Sequence, residues 1–168
     1  MSLENFLIFS SEVTGFTEFD LLGTGQAESY LDTVTKVVGE QNLTELLSTY
    51  RQRVTELDQE QARAEQLTRA IFDDARRGPV ARNIIKLWYC GVWFGLPPEW
   101  AKQFGIPGAD GGTFTASPQA YAQGLLWFAI GANPPGARAP GYGSWASPPQ
   151  IPALPPSPIP SSLTRQMP

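Results

Sequence analysis

The chain has no histidine and a single cysteine, Cys90. Without histidine there is no Ser-His-Asp or Cys-His nucleophilic centre. The commonest zinc and non-haem iron ligand sets are excluded with it. Carboxylates, lysine, tyrosine and one thiol are the general acids and bases that are left, so an enzyme is less expected here than in an average domain. One cysteine forms no internal disulfide and is compatible with either redox compartment. No run of about 18 apolar residues is present, so no membrane-spanning helix is expected. The net charge of −4 comes without any basic block, which argues against nucleic acid as a partner. The opening Met-Ser-Leu-Glu-Asn-Phe-Leu has neither a basic stretch nor a twin arginine, and as it stands it does not read as a secretory leader. Acidic residues stop at Asp110.

What is present is apolar and unevenly placed. The stretch 84–95, Ile-Ile-Lys-Leu-Trp-Tyr-Cys-Gly-Val-Trp-Phe-Gly, carries one charge, Lys86. A helix entering it at Pro79 is apolar on most of its circumference by Trp88, so something must bury it. Either it is the central helix of a bundle or part of it faces another chain.

Helical spacing of apolar residues predicts further helices over 3–13, 26–38 and 43–54, with Ser2 and Asn42 as N-caps and Gly39 as a C-cap. The segment 58–76 is rich in helix formers but has a thin apolar stripe (Ala62, Leu67, Ala70, Ile71), as expected of an outer helix. Asp73-Asp74 within it reads as a charged helix end, since neighbouring helix positions do not face each other. Residues 16–25 read as a loop, 99–104 as a short turn anchored by Trp100 and Phe104, and 105–116 as a glycine-rich loop without the spacing of a phosphate cradle. The last helix is expected over 118–130, with Ser117 as cap and Pro118 at its first position. No strand signal stands out. The fold class expected is all-α: a small bundle of five or six helices over 1–133, followed by a proline-rich extended tail over 134–168.

That tail holds eleven of the sixteen prolines, two arginines and no acid, a composition for polyproline-like or irregular chain. All five tryptophans lie between Trp88 and Trp145. The final third is therefore aromatic and nearly uncharged. Tyr142 and Trp145 sit in a segment with no secondary structure of its own. Each ring can bury about 150–250 Å², about 4–6 kcal/mol as an upper bound. They are expected to dock, either back onto Trp88 and Trp127 or onto another protein, with 140–146 as the docked part.

At these residues the chain resembles the small (gamma) subunit of membrane-bound, FAD-dependent sugar and polyol dehydrogenase complexes, such as those of sorbitol, fructose and glucose. Phe6-Leu7-Ile8-Phe9-Ser10 with Val13, Thr14 and Gly15 is similar to the family's Phe-Leu-x-Leu-Ser-x-x-Leu-Thr-Gly. Ile84 to Val92 is similar to Ile-x-x-Ala-Trp-Tyr-x-Gly-Val. Tyr121 to Phe128, then Pro140-Gly141-Tyr142-Gly143-Ser144-Trp145-Ala146, is similar to Tyr-x-x-Ala-Leu-x-Phe followed by Pro-Gly-Tyr/Phe-Trp-Ala. The order and rough spacing agree over 5–146.

The resemblance implies a subunit without catalytic residues, metal or cofactor of its own. Its partners would be a large flavoprotein subunit, which binds FAD and oxidises the sugar, and a multi-haem cytochrome c subunit. It would help the large subunit to fold and be exported, and would work in the periplasm, attached to the membrane through the complex. Members usually carry a twin-arginine leader, absent here. A cysteine suited to a covalent link often precedes the last block, where this chain has Asn133-Pro134-Pro135-Gly136. Candidate partner-interface residues are Trp88, Tyr89, Gly91, Tyr121, Tyr142 and Trp145: the rings as anchors, Gly91 for close backbone approach. Core packing is the alternative for each. Two other readings stay open. One is a helical adaptor presenting Pro155-Pro156-Ser157-Pro158 to an aromatic groove. The other is a carboxylate enzyme using Glu99 or Asp110.

Overall fold

The computed structural model describes residues 2–106 and 112–137. Tyr142, Trp145, Asp110 and nearly all of the proline-rich tail lie outside the described residues. The described part is an all-α bundle with one minor two-stranded antiparallel sheet.

Helix α1, Leu3–Thr14, starts where Ser2 Oγ accepts the Asn5 N–H at 3.3 Å. It ends at Gly15, whose N–H reaches Ser11 O. The stretch 16–25, expected as a loop, contains a short helix, α2, Glu18–Gly23. A capping box starts it: Thr17 N donates to Asp20 Oδ2 at 3.0 Å, and Asp20 N donates back to Thr17 Oγ1 at 3.2 Å. Helix α3, Ala27–Val38, buries Tyr30, Val34, Val37 and Val38 along one stripe, as its spacing predicts.

Helix α4, Glu40–Arg53, begins three residues earlier than expected. Asn42 is therefore not its cap but a buried residue of its first turn. The Asn42 amide donates to Val38 O at 2.6 Å and to Phe104 O at 2.8 Å, and its oxygen accepts from Arg76 Nε at 2.6 Å.

The outer helix expected over 58–76 is broken. Helix α5, Glu60–Leu67, buries nothing fully, and a π-helical turn, Thr68–Phe72, then rotates Ala70 and Ile71 into the core. Asp74 sits just before the next helix and accepts the N–H groups of Arg76 at 3.0 Å and Arg77 at 2.8 Å. Its second oxygen accepts from the Arg77 guanidinium at 2.7 Å. The carboxylate offsets two arginines at a helix N-terminus, where positive charge is unfavourable.

Helix α6, Arg77–Cys90, starts two residues before Pro79. Proline is tolerated there because first-turn N–H groups have no intrahelical acceptor. This is the central helix: it packs against α1, α3 and α4 and against the C-terminal part of the chain. Trp88 is 0% exposed, stacked on Phe6 at 6.2 Å between ring centroids and edge-on to Tyr30 at 4.9 Å.

Beyond Gly91 a two-stranded antiparallel ladder forms that no sequence period announces. Strand β1, Val92–Trp93, pairs antiparallel with β2, Phe114–Thr115, Val92 opposite Thr115 and Trp93 opposite Phe114. Between them in sequence lies α7, Pro98–Phe104, a helix rather than a bare turn, tied to the bundle by Trp100 Nε1 donating to Arg76 O at 2.7 Å.

The single helix expected over 118–130 is two: α8, Ala120–Gln123, and α9, Leu125–Ala129. Gly124 separates them because the chain must pass the end of α6 there. A Cβ on Gly124 would lie 2.6 Å from Tyr89 O. Ser117 does not cap a helix; its hydroxyl donates to Gln26 Oε1 at 2.5 Å. Cys90 is half-buried.

One polar cluster ties α5 to the bundle. The Glu12 carboxylate pairs with the Arg63 guanidinium and accepts the Tyr50 hydroxyl at 3.2 Å. Burial, then the nearby Glu12 charge, pushes the Tyr50 hydroxyl up to about 12. Burial raises Tyr30 as well. Tyrosine is neutral below its pKa, so the folded state resists ionisation that the unfolded chain accepts near pH 10. Stability is therefore full below about pH 10 and is lost as pH rises towards about 12, by up to about 1.4 kcal/mol per pH unit for each such tyrosine. Urea midpoints measured at alkaline pH are expected to fall less steeply for Tyr50→Phe than for the parent chain. Parallel slopes would refute this assignment.

Candidate partner interface

The C-terminal ends of α1 and α6 meet α8 and α9 at one corner of the bundle. The Tyr89 hydroxyl donates to Thr14 O at 2.9 Å, which holds its ring under the chain segment leaving α1. Phe16 lies edge-on to Tyr89 at 5.9 Å and to Phe128 at 5.7 Å. Tyr121 lies edge-on to Trp127 at 5.3 Å, and Trp127 Nε1 donates to Tyr121 O at 2.7 Å. The rings form an aromatic seam running outward from the core.

Its outer end is in solvent. Phe19 on α2 is 84% exposed and Phe128 on α9 is 72% exposed. Leu22 on α2, Tyr121 on α8, Leu126 on α9 and Ile130 just after it are exposed as well. Between α2 and α8–α9 runs a groove of about 330 Å³, with Phe16, Phe19, Trp127 and Phe128 among its walls and Pro134 at its rim. Elsewhere among the described residues large apolar side chains are mostly buried or partly buried, so the cluster of exposed ones at this corner makes it the candidate interaction surface.

Of the residues expected there, Tyr121 lies on this surface and Tyr89 just beneath it. Trp88 does not: it is core, and can touch a partner only through what it supports. Gly91 is also internal. Its φ is +70°, and a Cβ there would lie 2.5 Å from the carbonyl of Ala120. The close backbone approach is real, but the approaching chain is the protein's own α8. Gly91→Ala is expected to cost at least about 1–2 kcal/mol for the left-handed conformation alone. The Ala120 contact adds to that, so the variant's urea midpoint should fall clearly below the parent's. An unchanged midpoint would show that α8 is not held by this approach.

Phe19 and Leu22 escape a reading of the sequence that treats 16–25 as loop. The available signal is Thr17-x-x-Asp20, a capping pair opening a short helix. That helix turns Leu21 inward and leaves Phe19 and Leu22 outside. Glu99 is exposed on the first turn of α7. Among the described residues no group of three or more acidic or cysteine side chains is placed to hold a metal ion. Among them, too, no helix is long and apolar enough to cross a membrane.

No protein-family model matches the chain, and neither does any curated protein or solved structure.

Proposed function

We propose that this chain is a non-catalytic small subunit that binds, and helps to fold, the FAD-carrying subunit of a sugar or alcohol dehydrogenase. The observation that carries the reading is the exposed aromatic corner, headed by Phe19 and Phe128, in a chain with no histidine. The three blocks on which the resemblance rests also support it. Thr14 at the end of α1, Tyr89 on α6, and Tyr121 and Phe128 on α8–α9 come from separate blocks, yet they converge on this corner. An interface core of this kind is apolar and aromatic, with charges kept to its rim. In this reading FAD belongs to the partner, and a multi-haem cytochrome c and a periplasmic location belong to the assembly.

The test is to recover the tagged chain from its native host and record the absorption spectrum and subunit sizes of what accompanies it. A larger subunit with flavin bands is the expected result, and haem bands would add the cytochrome. A colourless monomer would count against the subunit reading.

A further inference from the structure

The groove between α2 and α8–α9 has aromatic walls and charge of one sign beside it. On the reading of this corner as a partner interface, we propose that the groove receives a basic polypeptide segment of the partner. Apolar side chains of that segment enter the groove, and its flanking lysines or arginines meet the carboxylates of α2.

Charge is spread unevenly along the chain. The first 35 residues hold six carboxylates, Glu4, Glu12, Glu18, Asp20, Glu28 and Asp32, and no lysine or arginine. Residues 112–137, which include α8 and α9, hold no charged side chain at all. The two stretches that build the corner therefore bring negative charge only.

Several carboxylates outside the corner are neutralised. Glu12 pairs with Arg63, Asp32 with Lys36, Glu45 with Arg76 and Arg77, and Asp74 with Arg77. Glu18 and Asp20 are not. Asp20 lines the groove, and its Oδ2 accepts the Thr17 N–H at 3.0 Å and the Thr17 hydroxyl at 2.6 Å. Neither donor carries a charge. Glu18 is exposed and lines a neighbouring cavity that shares Phe16 with the groove. Among the described residues neither carboxylate meets a lysine or arginine.

An apolar groove beside unpaired carboxylates selects its visitor. Phe19 and Phe128 offer rings against which the apolar stem of a lysine or arginine packs, and a cation over a ring face gains further attraction. Exposed carboxylates add little affinity singly. They act on encounter rate and orientation, and so favour basic segments over acidic ones. The same corner of a second copy would bring the same carboxylates and no cation, which makes it a poor occupant.

The test titrates the full chain with fluorescent synthetic peptides and follows their anisotropy. Two share a Leu-Trp-Leu centre, flanked by lysines in one and by glutamates in the other. A third keeps the lysines around a Ser-Ser-Ser centre. At about 0.01 M salt the lysine-flanked apolar peptide is expected to bind at least about tenfold more tightly than either of the others. Its margin over the glutamate peptide should vanish near 1 M salt, where screening acts within about 3 Å. Glu18→Lys should cut that margin at least about threefold. Phe19→Ser should weaken the lysine-flanked apolar peptide about tenfold. Equal binding of the lysine and glutamate peptides, binding of neither, or a preference that Glu18→Lys leaves unchanged would overturn the proposal. So would dimerisation of the chain that Phe19→Ser abolishes, which would make a second copy the occupant. Recovery from the native host separates this proposal from the subunit reading. A flavin-bearing partner held equally by the parent and Glu18→Lys chains, with the same salt sensitivity, would remove the charge argument and leave the subunit reading standing. The peptide preference without any flavin-bearing partner would do the reverse.

Discussion

Phe128→Asp and Phe19→Asp, each alone, should weaken capture of the partner subunit by at least about 30-fold, about 2 kcal/mol, while leaving the fold within about 0.5 kcal/mol of the parent. The asymmetry follows from exposure. Neither ring is packed into the bundle core, both being mostly exposed, so a carboxylate there costs the bundle little. In a complex the same position is desolvated, and an unpaired charge in an apolar contact is expensive. The measurements are a binding titration against the purified partner and a urea melt of the variant chain. A variant that loses stability as much as it loses binding would return these rings to the core. One that binds normally would move the interface elsewhere.

Trp88→Ala should do the opposite. Removing a fully buried indole that stacks on Phe6 and meets Tyr30 edge-on is expected to cost about 3–5 kcal/mol. A domain of ordinary stability has about 5–15 kcal/mol in total. The variant should therefore show a much lower urea midpoint or a large unfolded fraction at room temperature, with binding lost only as the fold is lost. If the isolated Trp88→Ala chain kept its stability and lost only the partner, Trp88 would be an interface residue after all. The two kinds of substitution separate the aromatic core around Trp88 from the exposed end of the aromatic seam.

That distinction is only half legible in the sequence. The stripe 84–95 announces a buried helix, and α6 is that helix. Nothing in its period says whether Trp88 faces in or out, because a helix apolar on most sides has no single inner face. The stripes of α1 and α3 are readable because one face of each meets solvent. Shorter elements are not readable. Two-residue strands have no period to detect, α2 hides behind a capping pair, and Gly124 breaks a helix for a reason only the fold reveals, the Tyr89 carbonyl that it must pass. The π turn at Thr68–Phe72 likewise explains why a thin stripe puts Ala70 and Ile71 inside. The candidate surface shows the same pattern. Tyr121 is named from the sequence and is exposed, whereas Phe19 needs α2 to be seen as a helix before it can be seen as exposed.

The corner between α2 and α9 is the part of this chain that another protein is expected to cover. Amide hydrogen exchange of the chain, alone and bound to its purified partner, tests that most directly. New protection is predicted over 16–24 and 121–134, with α5 exchanging at the same rate in both states. Protection gained on α5 and the outer face of α4, with 16–24 and 121–134 unchanged, would contradict it.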